Sequence, residues 1–183
     1  MTARRALVLG GTGMLAGSAV DLLEDGWHVV LPSRRRPTLP ATNGHSGPPR
    51  AARWVKADWS APDALATAAA DALGGPADLL VAWVHREVRA AVLRAVGPLL
   101  APGAPVVEVH GSASANPLGG CPDPVLPSHP TQQVVLGYVR HAGRTRWLTH
   151  EEISAGVLDA VRRALAGRPP AVHQVGEFRP VHI

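Results

Sequence analysis

The stretch VLGGTGMLAG, residues 8–17, decides the fold. It follows an apolar run that ends at Leu9, and it opens a helical pattern that starts at Gly13. Gly11-x-Gly13-x-x-Ala16 has the spacing of a dinucleotide-binding turn in its glycine/alanine form. Glycines let the chain leave a strand sharply and let the backbone approach a pyrophosphate. We therefore expect phosphates at the N-terminus of this helix, held by Gly10, Gly11, Thr12, Gly13, Met14 and Leu15.

The bulk composition predicts one globular domain over residues 1–183. Hydrophobic residues make up 46% of the chain, yet no apolar run reaches the roughly 20 residues of a membrane span. The net charge is +4, but 17 of the 18 basic residues are arginines and, apart from Arg34-Arg35-Arg36, they are scattered along the chain, so we expect no nucleic acid. The single cysteine, Cys121, excludes an intrachain disulfide and a cysteine zinc site, and we expect no metal.

The N-terminus enters the first predicted strand at once and leaves no room for a signal peptide, so the expected location is cytoplasmic. The expected partner is a small-molecule substrate. We expect no membrane association. The sequence does not decide between a monomer and a homo-oligomer.

Alternating apolar strands and amphipathic helices predict an α/β fold of the Rossmann type. This is a doubly wound, mostly parallel sheet of six or seven strands, with helices on both faces. Strands are predicted at residues 4–9, 27–31, 52–57, 77–84, 105–109, 131–140 and 171–178, with a turn or short strand at 144–147. Helices are predicted at 13–25, 60–73, 87–100 and 149–166. Ser60 and Asp63 are candidate caps of the second helix, and Thr149 and Glu152 form a capping box.

The end of the second strand favours NADP(H) over NAD(H). NAD enzymes often carry an acidic residue there for the ribose 2′-hydroxyl. Here the chain has Ser33, Arg34, Arg35 and Arg36, and guanidinium groups bind phosphate with paired hydrogen bonds. We therefore expect Ser33, Arg34 and Arg35 to contact a 2′-phosphate. The alternative is a solvated basic loop, which would also account for Arg36.

Other candidates follow the carboxyl ends of the next strands, where a doubly wound sheet binds its ligands. Asp58 can accept a hydrogen bond from the adenine amino group, or it can support the turn before the next helix. His85 can contact the nicotinamide ribose or donate a proton, or it can cap a helix. Ser112 follows the fifth strand, where its hydroxyl would face a nicotinamide.

The fifth strand and the segment after it carry two further signals. Glu108 lies inside an apolar strand, so its carboxylate needs an arginine or histidine partner or else stays protonated. Residues 113–130 contain five prolines, which forbid a long helix. Long loops inside a compact domain are usually functional, and this one can fold over a substrate. Glu108 and His110 are candidates for supporting roles.

Over residues 4–140 the chain resembles the short-chain dehydrogenase/reductase superfamily. The resemblance rests on GGTGMLA at residues 10–16, on Ser33 and Arg34 after strand two, and on Asp58 after strand three. It implies a Rossmann domain, NADP(H), an aspartate near adenine at Asp58 and a hydroxyl near the nicotinamide at Ser112. The family has Asn-Ala-Gly after strand four, where this chain has Trp83, Val84 and His85. We expect Trp83 beside the cofactor.

The family's catalytic Tyr-x-x-x-Lys pair, on a helix after strand five, has no counterpart. The only tyrosine, Tyr138, is followed four residues later by Ala142, and the only lysine is Lys56 in strand three. Three hypotheses follow. The first is a small NADP(H)-dependent oxidoreductase acting on a carbonyl or imine, with His85, Ser112 or Tyr138 as proton donor. The second is an NADP-binding regulator without turnover. The third is a Rossmann-fold enzyme of non-redox chemistry, such as a dehydratase or cyclase, with His85 or Glu108 as base.

Overall fold

The computed structural model describes residues 2–10, 13–39, 52–111 and 121–178. In chain order the elements are β1 (Arg5–Leu9), α1 (Ala16–Glu24), β2 (His28–Ser33), β3 (Arg53–Lys56), α2 (Pro62–Leu73), β4 (Leu79–Ala82), α3 (Arg86–Val96), a 3-10 turn (Gly97–Leu99), β5 (Val106–Gly111), β6 (Thr131–Leu136), β7 (Tyr138–His141), β8 (Arg144–Trp147), α4 (His150–Leu165) and β9 (Val172–Val175).

Seven strands form one parallel sheet in the order β3-β2-β1-β4-β5-β6-β9. The five strands between the edge strands, β2, β1, β4, β5 and β6, are almost wholly buried, which explains the apolar runs of β1, β2 and β4. The order reverses between β1 and β4, so a crevice opens there at the carboxyl ends of the strands. The predicted Rossmann-type α/β fold is confirmed.

Helices cover both faces of the sheet, as predicted. Helices α1 and α4 pack on one face around the buried Trp27, and α2 and α3 pack on the other. The close approach of α1 to α4 depends on Gly17, because a Cβ at this position would stand 2.9 Å from the Cβ of Ser154. The Gly17 requirement was not anticipated from the sequence.

The predicted strand at 131–140 is wrong in one respect, because it is broken at Gly137. A Cβ on Gly137 would collide with the backbone of Glu177, and Tyr138 begins a separate antiparallel hairpin of β7 and β8. The predicted short strand at 144–147 is therefore the second arm of this hairpin.

Two predicted helix starts are also corrected. Helix α1 begins at Ala16 rather than Gly13, because residues 13–15 form a turn in which the Gly13 N–H bonds the Gly10 carbonyl at 3.4 Å. Helix α2 begins at Pro62 after Ala61, with no side-chain cap, because the hydroxyl of Ser60 is bonded to Asp58. The capping box of Thr149 and Glu152 is confirmed.

Within the described residues, no helix combines the length and apolar character needed to cross a membrane.

Candidate cofactor and substrate site

The described residues of the turn between β1 and α1 have features that suit an anion. Gly10 has φ +91°, a conformation that favours glycine, and its carbonyl begins the turn to α1. At Gly13 an added Cβ would meet nothing within 4 Å, so the backbone there faces open space. Helix α1 has no side-chain cap and no acidic residue in its first turn, so no described side chain competes for its N–H groups. These features fit a dinucleotide pyrophosphate.

The remaining residues of this turn differ in what they can offer. Met14 is 41% exposed, whereas the side chain of Leu15 is fully buried in the core. Leu15 can therefore reach a cofactor only through its backbone. Gly11 and Thr12 lie outside the described residues.

At the end of β2, Ser33 is already engaged. Its hydroxyl donates to the Arg35 carbonyl at 2.6 Å and accepts from the Trp54 indole N–H at 2.9 Å. A phosphate oxygen needs a donor, so Ser33 would have to turn its hydrogen away from Arg35. Arg34 and Arg35 are exposed at the same edge. The bond from Trp54 was not anticipated, because nothing in the sequence pairs an indole on β3 with a hydroxyl on β2.

Asp58 follows β3 and forms a tight local turn. One carboxylate oxygen accepts the Ser60 N–H at 2.9 Å and the Ser60 hydroxyl at 2.8 Å. These two hydrogen bonds, with a smaller contribution from the charge of Arg34, lower the pKa of Asp58. Asp58 is therefore an ionised acceptor near neutral pH. Its second oxygen has no partner among the residues that the structure describes, so it can serve the turn and still accept from an adenine amino group.

Trp83 and His85 follow β4 and face different surroundings. The Trp83 N–H bonds the Leu9 carbonyl at 2.9 Å, which holds the end of β4 against the end of β1. His85 is exposed at the N-terminus of α3 but makes no capping hydrogen bond through its side chain. Its ring packs edge-on against Trp59, with centroids 5.3 Å apart. His85 is thus oriented towards the segment after Asp58.

A pocket of about 280 Å³ opens between the ends of β4 and β5 and the first turns of α3. Its volume lies near the lower end of the range for small-molecule sites. The walls combine apolar and cationic groups, including Trp83, Arg86, Arg89, His110, Gly111 and Pro122. Because Trp83 also touches the glycine turn, the pocket adjoins the expected cofactor site.

An ion pair lies beside this pocket. The guanidinium of Arg89 donates through Nε to Glu108 at 2.7 Å, and its terminal nitrogen also contacts the same carboxylate. Glu108 thus has the arginine partner that its buried position requires. Arg89 also donates to the Asp123 carbonyl at 3.1 Å, which ties the loop to α3.

His110 points from β5 on the same side of the sheet as Glu108. It is 4% exposed, and its Nε2 atom is buried without a hydrogen-bond partner in the described part of the chain. Burial first, and the charge of Arg89 second, lower the pKa of His110 to about 4. Glu108 lies 3.7 Å from Nε2, but its charge is matched by Arg89. His110 is therefore neutral near pH 7.

Residues 121–130 carry no helix, and Pro122 of this segment lines the pocket. The Gln133 amide donates to the Pro122 carbonyl at 2.8 Å, and a ring nitrogen of His129 is 2.8 Å from the Ala104 carbonyl. Val125 and Leu126 pack on the core beneath. These contacts tie residues 121–130 to the strands and the core, whereas residues 113–120 of the predicted loop lie outside the described residues.

Of the remaining candidates, Ser112 lies outside the described residues. Tyr138 begins β7, two residues after Leu136, which is the register partner of Gly111. Its hydroxyl is buried and has no partner within the described ranges. Lys56, the only lysine, ends β3 at one edge of the seven-stranded sheet, whereas Tyr138, the only tyrosine, follows β6, which lies next to the other edge strand.

Sequence reasoning did not identify Arg86 and Arg89 as site residues. The sequence did contain a signal for them. Arg86 and Arg89 are three residues apart, which places both on one face of a helix that begins beside the strand carrying Glu108.

No protein-family model matches the sequence, and no curated protein matches it significantly. The structure is similar to that of the NADH-dependent reductase A1-R′ complexed with NAD, with a TM-score of 0.67, 17% identity and 98% of both chains covered. A mutant short-chain dehydrogenase/reductase from Serratia marcescens gives a TM-score of 0.62 at 16% identity, covering 94% of this chain and 96% of the other. A carbonyl reductase from Pseudomonas aeruginosa gives 0.57 at 16% identity, covering 97% and 99%. The chain therefore shares the Rossmann-type fold of these three proteins.

Proposed function

We propose that this protein is a small NADP(H)-dependent oxidoreductase that transfers hydride between the nicotinamide and a carbonyl or imine substrate. The observation that carries the proposal is the position of Trp83, which contacts Gly10 of the glycine turn and lines the pocket between β4 and β5. A dinucleotide bound at the turn would extend across Trp83 towards that pocket. The similar folds of several reductases support the same reaction class.

The cofactor would supply the hydride, and the chain would bind and orient the reactants. The backbone at Gly10 and Gly13 and the start of α1 would hold the pyrophosphate. Arg34 and Arg35, exposed at the end of β2, would bind the 2′-phosphate. The free oxygen of Asp58 would accept from the adenine amino group.

Reduction of a carbonyl gains one hydride on carbon and one proton on oxygen, and the dinucleotide becomes NADP⁺. We propose Ser112 as the contact to the substrate oxygen, since it follows Gly111 at the pocket. Tyr138 is proposed as proton donor because its hydroxyl is buried and has no partner among the described residues. His85 stays a third candidate, although its ring packs on Trp59. An iminium substrate already carries positive charge and needs no strong acid.

Titration with NADPH and NADH, followed by nicotinamide fluorescence, tests the cofactor. Wild-type protein should prefer NADPH, and Arg34→Ala should weaken NADPH about tenfold while leaving NADH unchanged. Arg94→Ala, on the exposed face of α3, is the matched control and should alter neither. Binding of neither dinucleotide would overturn the proposal, and equal weakening of both by Arg34→Ala would overturn the 2′-phosphate contact.

Turnover is tested separately with panels of carbonyls and cyclic imines. Ser112→Ala, Tyr138→Phe and His85→Gln should each be compared for turnover with NADPH affinity retained. The group that donates the proton is the one whose loss lowers kcat for carbonyls and spares iminium reduction.

The second candidate is a regulator that binds NADP(H) without turning it over. Lys56 ends the edge strand β3, whereas Tyr138 begins the separate β7–β8 hairpin after β6, so the only tyrosine has no neighbouring lysine to activate it. Tight NADPH binding without oxidation across both panels would favour this function. The non-redox alternative needs His85 or Glu108 as base. Of these two, Glu108 is the weaker base, because its carboxylate is already paired with Arg89.

A further inference from the structure

We infer that the pocket between β4, β5 and α3 binds a small organic carboxylate, which would make the substrate of the proposed reaction an oxo acid. This inference rests on the proposed function for the reaction, but the binding itself does not require it. The recognising groups are Arg86, the first residue of α3, and His110 on β5.

The charge balance of the pocket leaves one cation unmatched. Arg89 lines the wall, but its guanidinium is paired with Glu108. Arg86 also lines the wall, and it has no ion-pair or hydrogen-bond partner among residues 2–10, 13–39, 52–111 and 121–178. With His110 neutral, the net charge of these groups is positive. An anion is therefore the complementary ligand, and a planar guanidinium suits a carboxylate.

The second observation is independent of charge. His110 lines the pocket, its Nε2 atom is buried without a partner among the described residues, and a buried polar atom without a hydrogen bond is costly. We assign the proton to Nε2 because the carboxylate of Glu108 faces that atom at 3.7 Å, beyond hydrogen-bonding distance. After a rotation of the His110 ring towards the pocket, this N–H would donate to an oxygen of the ligand, which satisfies the atom.

The size and composition of the pocket restrict the ligand further. Its volume of about 280 Å³ matches the space of about nine water molecules. Trp83 and Pro122 add apolar wall between the two polar groups. A short-chain oxo acid meets these conditions, since its carboxylate can pair with Arg86 while its alkyl chain contacts Trp83.

In the proposed reaction the carboxylate would be unchanged. The keto carbon would accept hydride, the keto oxygen would accept the proton, and the dinucleotide would be oxidised. Arg86 would serve to orient the substrate, and it takes no part in the transfer of hydride or proton.

The test uses the full chain without dinucleotide, with 2-oxopentanoate and its methyl ester as probes. Binding is followed by NMR through the indole N–H signal of Trp83, assigned with Trp83→Phe, while the exposed Trp147 serves as reference. We expect 2-oxopentanoate to bind at least tenfold more tightly than the ester. Arg86→Gln should remove this difference, whereas Arg94→Gln, on the same helix, should preserve it.

A second readout is the imidazole ¹⁵N signal of His110, assigned with His110→Gln. It should shift on binding of the acid in the wild-type protein. Equal binding of acid and ester, or acid binding that Arg86→Gln does not weaken, would overturn the inference. Failure of NADPH to bind in the separate titration would overturn the proposed function and leave a carboxylate site standing if the acid binds through Arg86.

Discussion

Gly10 lies so close to Trp83 that a Cβ at residue 10 would stand 2.9 Å from the Trp83 carbonyl oxygen. The contact joins the end of β1 to the segment after β4, on the two sides of the point where the strand order reverses. Residue 10 must be a glycine for two reasons. Its φ of +91° favours glycine, and the Trp83 carbonyl leaves no space for a Cβ. Gly13, three residues later, has neither constraint.

The two glycines should therefore separate stability from binding. Gly10→Ala should lower the free energy of unfolding by about 1–3 kcal/mol, because of strained backbone and the contact with Trp83. Gly13→Ala should change it by less than about 0.5 kcal/mol, yet weaken NADPH about tenfold by keeping the pyrophosphate from the backbone. Urea unfolding and fluorescence titration measure the two effects.

Gly74→Ala is the control for backbone strain alone, since Gly74 has φ +65° and an added Cβ would meet nothing within 4 Å. It should cost about 1 kcal/mol and leave NADPH binding intact. Undiminished NADPH affinity in a well-folded Gly13→Ala protein would contradict the proposed pyrophosphate contact.

The packing of α1 on α4 yields a second prediction. Gly17→Ala would place a methyl group 2.9 Å from the Cβ of Ser154 and against its hydroxyl, so the helices must separate. Overpacking of this kind costs about 1–3 kcal/mol. The double variant with Ser154→Gly should recover part of that loss, and a double-mutant cycle of thermal unfolding measures the coupling. Strict additivity of the two changes would show that the contact does not limit the helix spacing.

The fold was largely predictable because its signals are local. Buried parallel strands produce continuous apolar runs, and the capping box of Thr149 and Glu152 marks the start of α4. The break at Gly137 was missed because its cause is the backbone of Glu177, 40 residues away in the chain. Alternating apolar residues alone gave no reason to end the strand there.

For the candidate site, the sequence predicted which residues lie on or after each strand, but it did not predict the contacts between residues of different elements. Sequence required a partner for Glu108 but did not choose among the arginines and histidines, because that choice depends on how α3 crosses β5. The hydroxyl of Ser33 illustrates the converse case. Its position at the end of β2 was predicted, but the hydrogen bond that it accepts from Trp54 depends on the neighbouring strand.

The pair of Arg89 and Glu108 provides a third prediction. Arg89→Met would leave a carboxylate that is 3% exposed without its counterion, and should cost about 3–5 kcal/mol. Arg89→Met combined with Glu108→Gln should cost clearly less than Arg89→Met alone, because no buried charge is stranded. Urea unfolding at pH 7 measures both variants. A double variant as unstable as the single one would mean that the loss comes from packing of the arginine stem and its bond to the Asp123 carbonyl.

His110 determines how stability responds to acid. Its pKa in the folded protein is held at about 4, against an ordinary value of 6.5, by burial and by Arg89. The unfolded chain therefore takes up a proton that the folded protein refuses between about pH 6.5 and pH 4, so stability falls as the pH drops through that window and levels off below it. The charged groups that act on the ring are Glu108 on β5, 3.7 Å from Nε2, and Arg89 on α3.

The expected contribution of His110 at pH 4.5, relative to pH 7.5, is a loss of about 2–3 kcal/mol. Urea unfolding of wild-type protein and His110→Gln at both pH values isolates it, because the other titrating groups are common to both proteins. Between pH 7.5 and pH 4.5, the free energy of unfolding should fall less in His110→Gln than in the wild-type protein, by this amount. In His141→Gln, where the histidine is exposed on β7, it should fall as much as in the wild-type protein. An equal drop in the wild-type protein and His110→Gln would contradict the lowered pKa of His110. It would mean that the imidazole is protonated in the folded protein, with the Glu108 carboxylate turned from Arg89 towards the imidazolium.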